Sequence, residues 1–307
     1  MMMQSPQWLV IGLISASLTV ISGKPKSGKS ALVLNFVVSA VLHSDFLGRT
    51  ISATNRIIIV ATDADGVGEY RDRLLEAGMT PQNAGERLIL VQALRLDAEF
   101  CARLGEELRP SKGDVVIFDH LSDMAGDFNS QADVSAVFAA IRKAAAEASI
   151  IVLAHSSTAT GQHGFSPTKP LGSTVIAAKA RWLVHVEDRG NNERRVTTSG
   201  NGARGETIQL AVGTHVADLS VLEVVTAEQK QEKRKMRSTK TLDKRAQQVD
   251  WYQQNCAGLS KAEGAKRLAE KFGGNARTWQ NHLSPSGWAG GMLASRSHGL
   301  TVSPPTT

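Results

Sequence analysis

The sequence predicts an α/β protein with a mainly parallel central sheet, followed by a small C-terminal unit of α-helices. Over the first two-thirds of the chain, short runs rich in Ile and Val alternate with helical patterns, which favours parallel strands joined by helices. Apolar residues make up 42% and charged residues 21% of the 307 residues, so a packed core is expected. From about residue 228 the sequence becomes polar and basic, which predicts a domain boundary there.

Four β-branched segments are the expected buried strands of the parallel sheet, because turn-forming or charged residues bound each of them. They are residues 18–22, 57–61, 115–118 and 150–154. Helical patterns follow the first three strands at residues 28–43, 67–78 and 133–148. Weaker strands at 181–187, 194–199, 207–212 and 221–225 are closely spaced and predict antiparallel additions at the sheet edge.

The positive charge of the chain is unevenly distributed. The formal net charge is +6 and the isoelectric point is about 9.4. Residues 228–282 carry 13 basic and 6 acidic side chains, whereas residues 1–227 carry 21 basic and 23 acidic ones. An anionic partner is therefore expected for the C-terminal part and not for the nearly neutral remainder.

Cysteine content and hydropathy predict the compartment. The two cysteines, Cys101 and Cys256, are too few for a disulfide scaffold or a cysteine-rich zinc site, which favours a reducing compartment. The uncharged run from Trp8 to Ser22 is shorter than the ~20 residues of a membrane span, contains several hydroxyl side chains and lacks a basic flank. We interpret it as a buried strand with its approach and expect a cytoplasmic protein.

Residues 23–30, GKPKSGKS, match the phosphate-binding pattern G-x-x-x-x-G-K-[ST] in full, between an apolar strand and an apolar helix. The glycines let backbone N–H groups turn toward a β-phosphate, and the helix N-terminus adds its positive dipole end. Lys29 can reach the β- and γ-phosphates, and the Ser30 hydroxyl can coordinate Mg²⁺. We therefore predict an ATP and Mg²⁺ site whose contacting residues are Gly23, Lys24, Pro25, Lys26, Ser27, Gly28, Lys29, Ser30 and Ala31.

Acidic residues follow two other predicted strands. Asp119 ends the run DVVIFD and is expected, with Ser30, to hold the metal and its water shell. Hydrolysis also needs a carboxylate that orients the attacking water. Asp63, just after IIIVA, is the candidate for that role, and Asp65 is the alternative, although Asp65 is equally well explained as a helix N-cap.

Histidines follow two of the predicted strands. His155 comes directly after residues 150–154 and is a candidate sensor of the γ-phosphate, with a structural hydrogen bond as the alternative. His120 follows Asp119 and either contacts nucleotide or water or only caps the strand end.

Residues 8–225 resemble the RecA-type ATPase core of the plasmid RepA and DnaB-like helicase group. The resemblance rests on GKPKSGKS, IIIVATDAD, DVVIFDHLSDM, LAHSS and LGSTVIAAKARWLVHV. It implies a RecA-like P-loop NTPase core in which Asp63 activates water, His155 senses the γ-phosphate and Gly172-Ser173 opens a helix. It also implies DNA-contacting loops near 125–132 and 157–172, and a homo-oligomer of which a hexamer is one form.

The sequence departs from that group in two ways. The water-activating residue of the group is usually Glu, and the candidates here are Asp. The group usually has Lys-x-Arg before an Asn-Gly, which places cations in a neighbouring subunit's site, whereas no cation precedes Asn201. Arg204 is the first candidate substitute, with Arg194 and Arg195 as others, and the alternative is that Arg204 is a solvated loop charge. Because such a cation is worth ~10³-fold in rate, fast hydrolysis is an open question.

The basic C-terminal part is predicted to consist of three pieces. Residues 228–245 are expected to form a linker that is either merely solvated or contacts DNA phosphates, with Arg234, Lys235 and Arg237 as candidates. Helices are expected at 243–256, 260–272 and 275–283, and Ser260 with Glu263 forms a capping box at the second. Residues 284–307 are expected to form a disordered tail.

The helices within residues 246–283 resemble a helix-turn-helix unit. Its last helix would offer Arg277 and Gln280 to duplex DNA, together with Asn275, Thr278 and Asn281. Docking to another protein is the alternative for such a unit.

Two functions of different classes fit the sequence. The first is an ATP-dependent DNA motor, a ring-forming RepA-like replicative helicase of a plasmid, phage or other mobile element that acts on single-stranded DNA. The second is a nucleotide-gated DNA-binding or recombination-accessory ATPase with slow or no hydrolysis. The intact phosphate-site motifs favour the first, and the missing Lys-x-Arg favours the second.

Overall fold

A computed structural model describes residues 8–121, 130–156, 174–200, 205–215 and 218–297. The chain divides into two compact units, residues 1–227 and 228–307. The first unit is α/β and the second is helical. Within the described residues, no helix combines the length and the hydropathy that crossing a bilayer requires.

The first unit consists of strands and helices in alternation. Its strands are β1 (Trp8–Val10), β2 (Ile14–Ser15), β3 (Leu18–Gly23), β4 (Ile57–Ala61), β5 (Leu88–Gln92), β6 (Val115–Asp119), β7 (Ser149–His155), β8 (Trp182–Gly190), β9 (Glu193–Gly200), β10 (Glu206–Val212) and β11 (Leu219–Thr226). Its helices are α1 (Lys29–Val41), α2 (Gly66–Glu76), α3 (Pro81–Ala84), α4 (Ala98–Leu108), α5 (Gln131–Ala145) and α6 (Thr174–Lys179).

Within the described ranges, nine strands form one sheet in the order β11-β10-β9-β8-β3-β7-β6-β4-β5. Strands β8, β3, β7, β6, β4 and β5 are parallel, and β9, β10 and β11 extend the sheet in antiparallel fashion from β8. The expected antiparallel addition is thus present, except that β8 is itself a parallel neighbour of β3. This mixed α/β architecture is consistent with the predicted RecA-like core.

The central strands are buried on both faces, as their uniformly apolar sequences require. In β4, Ile57 and Ile59 pack into one hydrophobic cluster with α1 and α2, whereas Ile58 and Val60 pack into another with α4 and α5. The sheet therefore lies between two layers of helices, and its carboxyl edge is free to hold a site.

Several elements of the first unit are absent from the predictions, among them a hairpin, a strand and a helix. The uncharged N-terminal run forms a hairpin of β1 and β2, turned at Gly12 with φ 74°, before β3 begins. Strand β5, LILVQ, lies at the edge of the sheet and is half-buried. Helix α4 packs on α5 through Cys101 and Leu104.

The second unit corrects two predictions. It contains α7 (Ala227–Asn255), α8 (Lys261–Phe272), α9 (Ala276–His282) and α10 (Trp288–Ser297). The expected linker 228–245 is part of α7, because this stretch has strong helix formers and no Gly or Pro. The expected tail begins with a helix, since Trp288, Met292 and Leu293 pack against the cluster around Trp279.

Asp114 immediately precedes β6, and its buried carboxylate leads to a prediction about stability. Burial opposes its ionisation, but hydrogen bonds from Arg56, one of them 2.6 Å long, and from Ser111 outweigh burial and lower the pKa of Asp114. Asp114→Asn is therefore expected to lower the free energy of unfolding at pH 7 by about 2 kcal/mol, measured by urea denaturation. Because a lowered pKa stabilises the fold above the unfolded value, the difference should shrink below about pH 4.

The exposed pair of Arg71 and Asp72 supplies the control for this experiment. Asp72 also lies 2.9 Å from an arginine but is 64% exposed, so Asp72→Asn should change stability by less than about 0.5 kcal/mol. A destabilisation by Asp114→Asn that persists unchanged to pH 2 would contradict the assigned ionisation.

Candidate nucleotide-binding site

The predicted phosphate-site residues meet at the carboxyl edge of the parallel sheet. In the strand ladders, Gly23 of β3 lies opposite His155 of β7, and Ala61 of β4 lies opposite Asp119 of β6. The loops that leave these strands consequently emerge side by side. The fold thus brings together Gly23, Asp119 and His155, which are up to 132 residues apart in the sequence.

Residues 23–30 form a tight turn between β3 and α1. The Ser27 amide donates to the Lys24 carbonyl over 3.1 Å, and Gly28 has φ 97°, a conformation that favours glycine. A Cβ at Gly23 would collide with the Ser27 hydroxyl and lie 2.5 Å from the carbonyl oxygen of Val186. The turn therefore leaves no room for a side chain at Gly23, so it presents backbone there.

Lys29 at the start of α1 is buried beneath this turn. Its ammonium group donates to the carbonyls of Gly23 (3.2 Å) and Lys24 (3.1 Å), and lies 3.3 Å from Nδ1 of His155. Burial lowers the pKa of Lys29, and the nearby carboxylate of Asp119 partly opposes that shift. The ammonium group is thus held at the turn by acceptors that an incoming phosphate can replace.

Asp119 connects three elements through one oxygen. Its Oδ2 accepts hydrogen bonds from the Ser30 hydroxyl (2.9 Å) on α1 and from the Tyr70 hydroxyl (2.6 Å) on α2. Burial, followed by the charge of Asp119, raises the pKa of Tyr70 well above its usual value, so the phenol remains a neutral donor. Tyr70 is absent from the sequence-based predictions, and its one signal is a lone aromatic residue in a polar helix.

The candidates for activating water follow β4, the strand that pairs with β6 and so lies next to Asp119. Oδ1 of Asp63 lies 3.5 Å from Nε2 of His120, and the Asp63 side chain is 72% exposed. The rings of His120 and His155 are in edge contact, with centroids 4.7 Å apart. Asp65 is at the N-cap position of α2, but its side chain makes no capping hydrogen bond.

The two histidines near Lys29 are disposed to be neutral. Burial lowers the pKa of His155, and the positive charge of Lys29 lowers it further. Burial also lowers the pKa of His185, which lies 3.0 Å from the Ser22 hydroxyl in the neighbouring strand. The lowered pKa values favour a neutral ring at both positions, so neither histidine adds a positive charge beside Lys29.

A cleft of about 400 Å³ opens on the other side of the phosphate turn. Its apolar floor is the face of the antiparallel strands, and its walls are the start of α1 and two residues of α2. The lining residues include Val186, Val196, Leu210, Val212 and Leu219 from the sheet, and Ala31 and Leu32 from α1. The size and the apolar floor suit the base and ribose of a nucleotide.

Arg194 of β9 extends across this cleft. Its Nε would lie 3.1 Å from a Cβ at Gly28, so the guanidinium packs against the phosphate turn of its own chain. Nη1 donates to Asp188 (2.8 Å) and to the Glu193 carbonyl (2.9 Å). Nε is buried and has no hydrogen-bond partner among the residues described. Arg195, the next residue, instead lies 3.6 Å from Glu187.

The residues of the site fit a Mg²⁺–nucleotide. The turn at Gly23 has no space for a side chain, and the Ser27 hydroxyl is buried without a hydrogen-bond partner in the part of the chain that is described. Ser30 and Asp119 supply adjacent oxygens, which are the ligand atoms that Mg²⁺ prefers. Lys24, Pro25 and Lys26 are exposed at the rim of the turn.

The sequence profile of the AAA domain family matches residues 3–161, just over half of the chain. The chain belongs to the AAA domain family. This membership identifies a P-loop ATPase, and such ATPases bind nucleotide, typically with Mg²⁺. The AAA domain match covers the phosphate turn, Asp63, Asp119 and His155. No curated protein matches the chain.

Several predicted residues lie outside the described ranges. They are Gly172, Ser173, Asn201 and Arg204, the loop at 157–172 and most of the loop at 125–132. Ser130 is the N-cap of α5, and its hydroxyl accepts from the Asp133 amide. Residues 130–132 of this AAA domain thus begin a helix.

The Tyr70 hydroxyl generates a prediction about metal binding. When Ser30 turns to a bound metal, Tyr70 remains to orient Asp119, so Tyr70→Phe should weaken Mg²⁺-dependent ATP binding by about tenfold. Binding of ATP in the presence of a chelator should not change. The other tyrosine, at position 252, lies in the second unit, and Tyr252→Phe is the control. Calorimetric titration measures both, and equal Mg²⁺ dependence of Tyr70→Phe and wild type would contradict the role of Tyr70.

The position of Arg194 generates a prediction about nucleoside recognition. Arg194→Ala should weaken ATP binding by about tenfold through loss of a charge-assisted contact, and inorganic tripolyphosphate binding by less than about twofold. Arg189→Ala removes another sheet arginine, which lies 3.6 Å from Glu187 and does not line the cleft, and should alter neither affinity. Equal losses for ATP and tripolyphosphate would place Arg194 on the phosphates instead.

Proposed function

We propose that this AAA domain protein binds and hydrolyses ATP and acts on DNA, as a RepA-like, ring-forming replicative helicase of a plasmid, phage or other mobile element. The observation that carries the ATPase half is the convergence of Lys29, Ser30 and Asp119 at one end of the phosphate turn. The DNA half is supported by the basic second unit and by the resemblance of the core to that helicase group.

In this proposal, the residues of the turn divide the work on ATP. Lys29 would exchange the carbonyls of Gly23 and Lys24 for the β- and γ-phosphates, and Ser30 and Asp119 would hold Mg²⁺. When bound, Mg²⁺ would neutralise charge that develops on the phosphate oxygens. His155, beside Lys29, would contact the γ-phosphate and signal its loss to the loop that follows.

Asp63 would orient the attacking water. Its carboxylate is exposed and lies 3.5 Å from His120. The carboxylate oxygen and the imidazole are thus both present at the carboxyl edge of the sheet, where a proton acceptor is needed. The Asp63 side chain is one methylene shorter than the Glu that is usual in the helicase group. In this proposal, His120 compensates by holding the Asp63 carboxylate toward the site. Asp65 remains the alternative, since its side chain is not used in capping α2.

One observation favours the second candidate, a nucleotide-gated DNA-binding or recombination-accessory ATPase with slow or no hydrolysis. Arg194 packs on its own chain's phosphate turn and is held by Asp188, so it is occupied on the nucleoside side of the site. Arg204 of a neighbouring copy of the chain would then have to supply the cation for the γ-phosphate. Without that cation, ATP would act as a switch for assembly on DNA.

The helices α8 and α9 would form the DNA-reading part of a helix-turn-helix unit. Arg277 is exposed and Gln280 is half-buried on α9, whereas Asn275 uses its side chain to accept from the Arg277 amide. The Arg277 side chain is therefore more available for contact with DNA than that of Asn275. Docking of another protein on α9 is the alternative.

The ATPase rate with and without single-stranded DNA separates the two candidates. A motor should hydrolyse ATP several-fold faster with DNA, and Lys29→Ala should abolish the rate because it removes the phosphate-binding cation. A low rate that DNA does not change, with ATP-dependent DNA binding retained, would favour the gated protein. A rate equal to that of Lys29→Ala, with no DNA binding, would contradict both.

A further inference from the structure

Helix α7 carries its charges on two opposite faces. At about 100° per residue, six of its cations fall within an arc of about 120°. They are Lys230, Lys233, Arg234, Arg237, Lys240 and Lys244, and we call them the cationic face. All six are exposed.

The acidic residues of α7 are on the other side of the helix. Glu228, Glu232, Asp243 and Asp250 fall within an arc of about 60°, centred roughly opposite the cationic face. Lys235 lies next to this acidic arc. The helix therefore separates Lys235 from Arg234 and Arg237, with which the sequence alone had grouped it.

Helix stability alone does not account for this arrangement. Lys230 with Arg234, Lys233 with Arg237 and Lys240 with Lys244 are like charges four residues apart, and such pairs destabilise a helix. A solvated helix gains from acids and bases that alternate at this spacing. The stacked cations instead raise the local positive potential along about 21 Å of one face.

We infer that the cationic face of α7 binds the phosphate backbone of duplex DNA. A polyanion neutralises the stacked cations and releases its own counterions, so binding removes the repulsion that the free helix carries. Residues 227–247 contain no aromatic side chain, and single-strand binding surfaces rely on aromatic side chains for base stacking. The inference rests on the proposed action on DNA and assigns it a surface.

Arg245 borders the cationic face but is not part of it. Its side chain is half-buried and stacks over the ring of Trp288 at 5.0 Å. This contact attaches the helix to α10 within the second unit. The exposed cations N-terminal to it remain accessible to a ligand.

Two charge reversals on the full-length chain test the inference. Arg237→Glu and Lys235→Glu change the net charge equally at exposed positions two residues apart, but only the first alters the cationic face. Fluorescence anisotropy with a labelled duplex of mixed sequence should show about tenfold weaker binding for Arg237→Glu and less than about twofold for Lys235→Glu. The slope of log K against log salt should fall by about 1 for Arg237→Glu alone.

The outcomes separate the surface from the proposed function. Equal losses in the two variants, or no loss in either, would overturn the inference while wild-type DNA binding still supports the proposed function. A difference seen with the single strand of the same sequence but not with the duplex would also overturn it, as would tighter binding to phosphatidylserine vesicles than to DNA. Far-ultraviolet circular dichroism should show that both variants retain helix α7, because Glu is a good helix former.

Discussion

The Oδ2 oxygen of Asp119 holds the candidate site together. It receives hydrogen bonds from Ser30 on α1 and Tyr70 on α2, so one acceptor fixes the end of β6 relative to both helices. A backbone hydrogen bond also joins Asp119 to the end of β4, since the amide of Thr62 donates to the Asp119 carbonyl over 2.8 Å. The loop after β4, which carries Asp63, is thereby placed beside the phosphate turn. A change at Asp119 would disturb the metal side and the water side of the site together.

Burial around this acceptor determines how the site meets an anion. Lys29 and His155 both have lowered pKa values because burial disfavours their charged forms, and the charge of Lys29 adds to that cost for His155. Phosphate oxygens would offset that cost for Lys29, since a charged partner stabilises the ammonium form. A nucleotide phosphate and the carbonyls of Gly23 and Lys24 would thus compete for the same donor, the Lys29 ammonium group.

The sequence was informative where chemistry and secondary structure follow from local pattern. The phosphate turn, the strands that carry Asp119 and His155, and the antiparallel extension could all be predicted, because apolar runs and a glycine motif determine them locally. Tyr70 could not, since its contact with Asp119 depends on how α2 packs across β4. Strand β5 was missed although its run LILV is as apolar as those of the central strands. The first part of helix α7, residues 227–242, was missed because its charged residues show no apolar period, although they are good helix formers.

In the sheet, the residues proposed to recognise the nucleoside and those proposed to act in hydrolysis lie on opposite sides of β3. The phosphate turn follows β3, and the side toward β7 and β6 carries His155 and Asp119, where the γ-phosphate is expected. Arg194 lies on the other side, on β9 beyond β8, next to a cleft with an apolar floor. Because its guanidinium packs on Gly28 beside this cleft, we expect Arg194 to contact the nucleoside and not the γ-phosphate of its own chain. We expect nucleotide binding to be complete within one chain, whereas the cation that speeds hydrolysis would come from a second copy, with Arg204 as the candidate. Under this arrangement the protein would bind ATP as a single chain and hydrolyse it at an appreciable rate only after assembly.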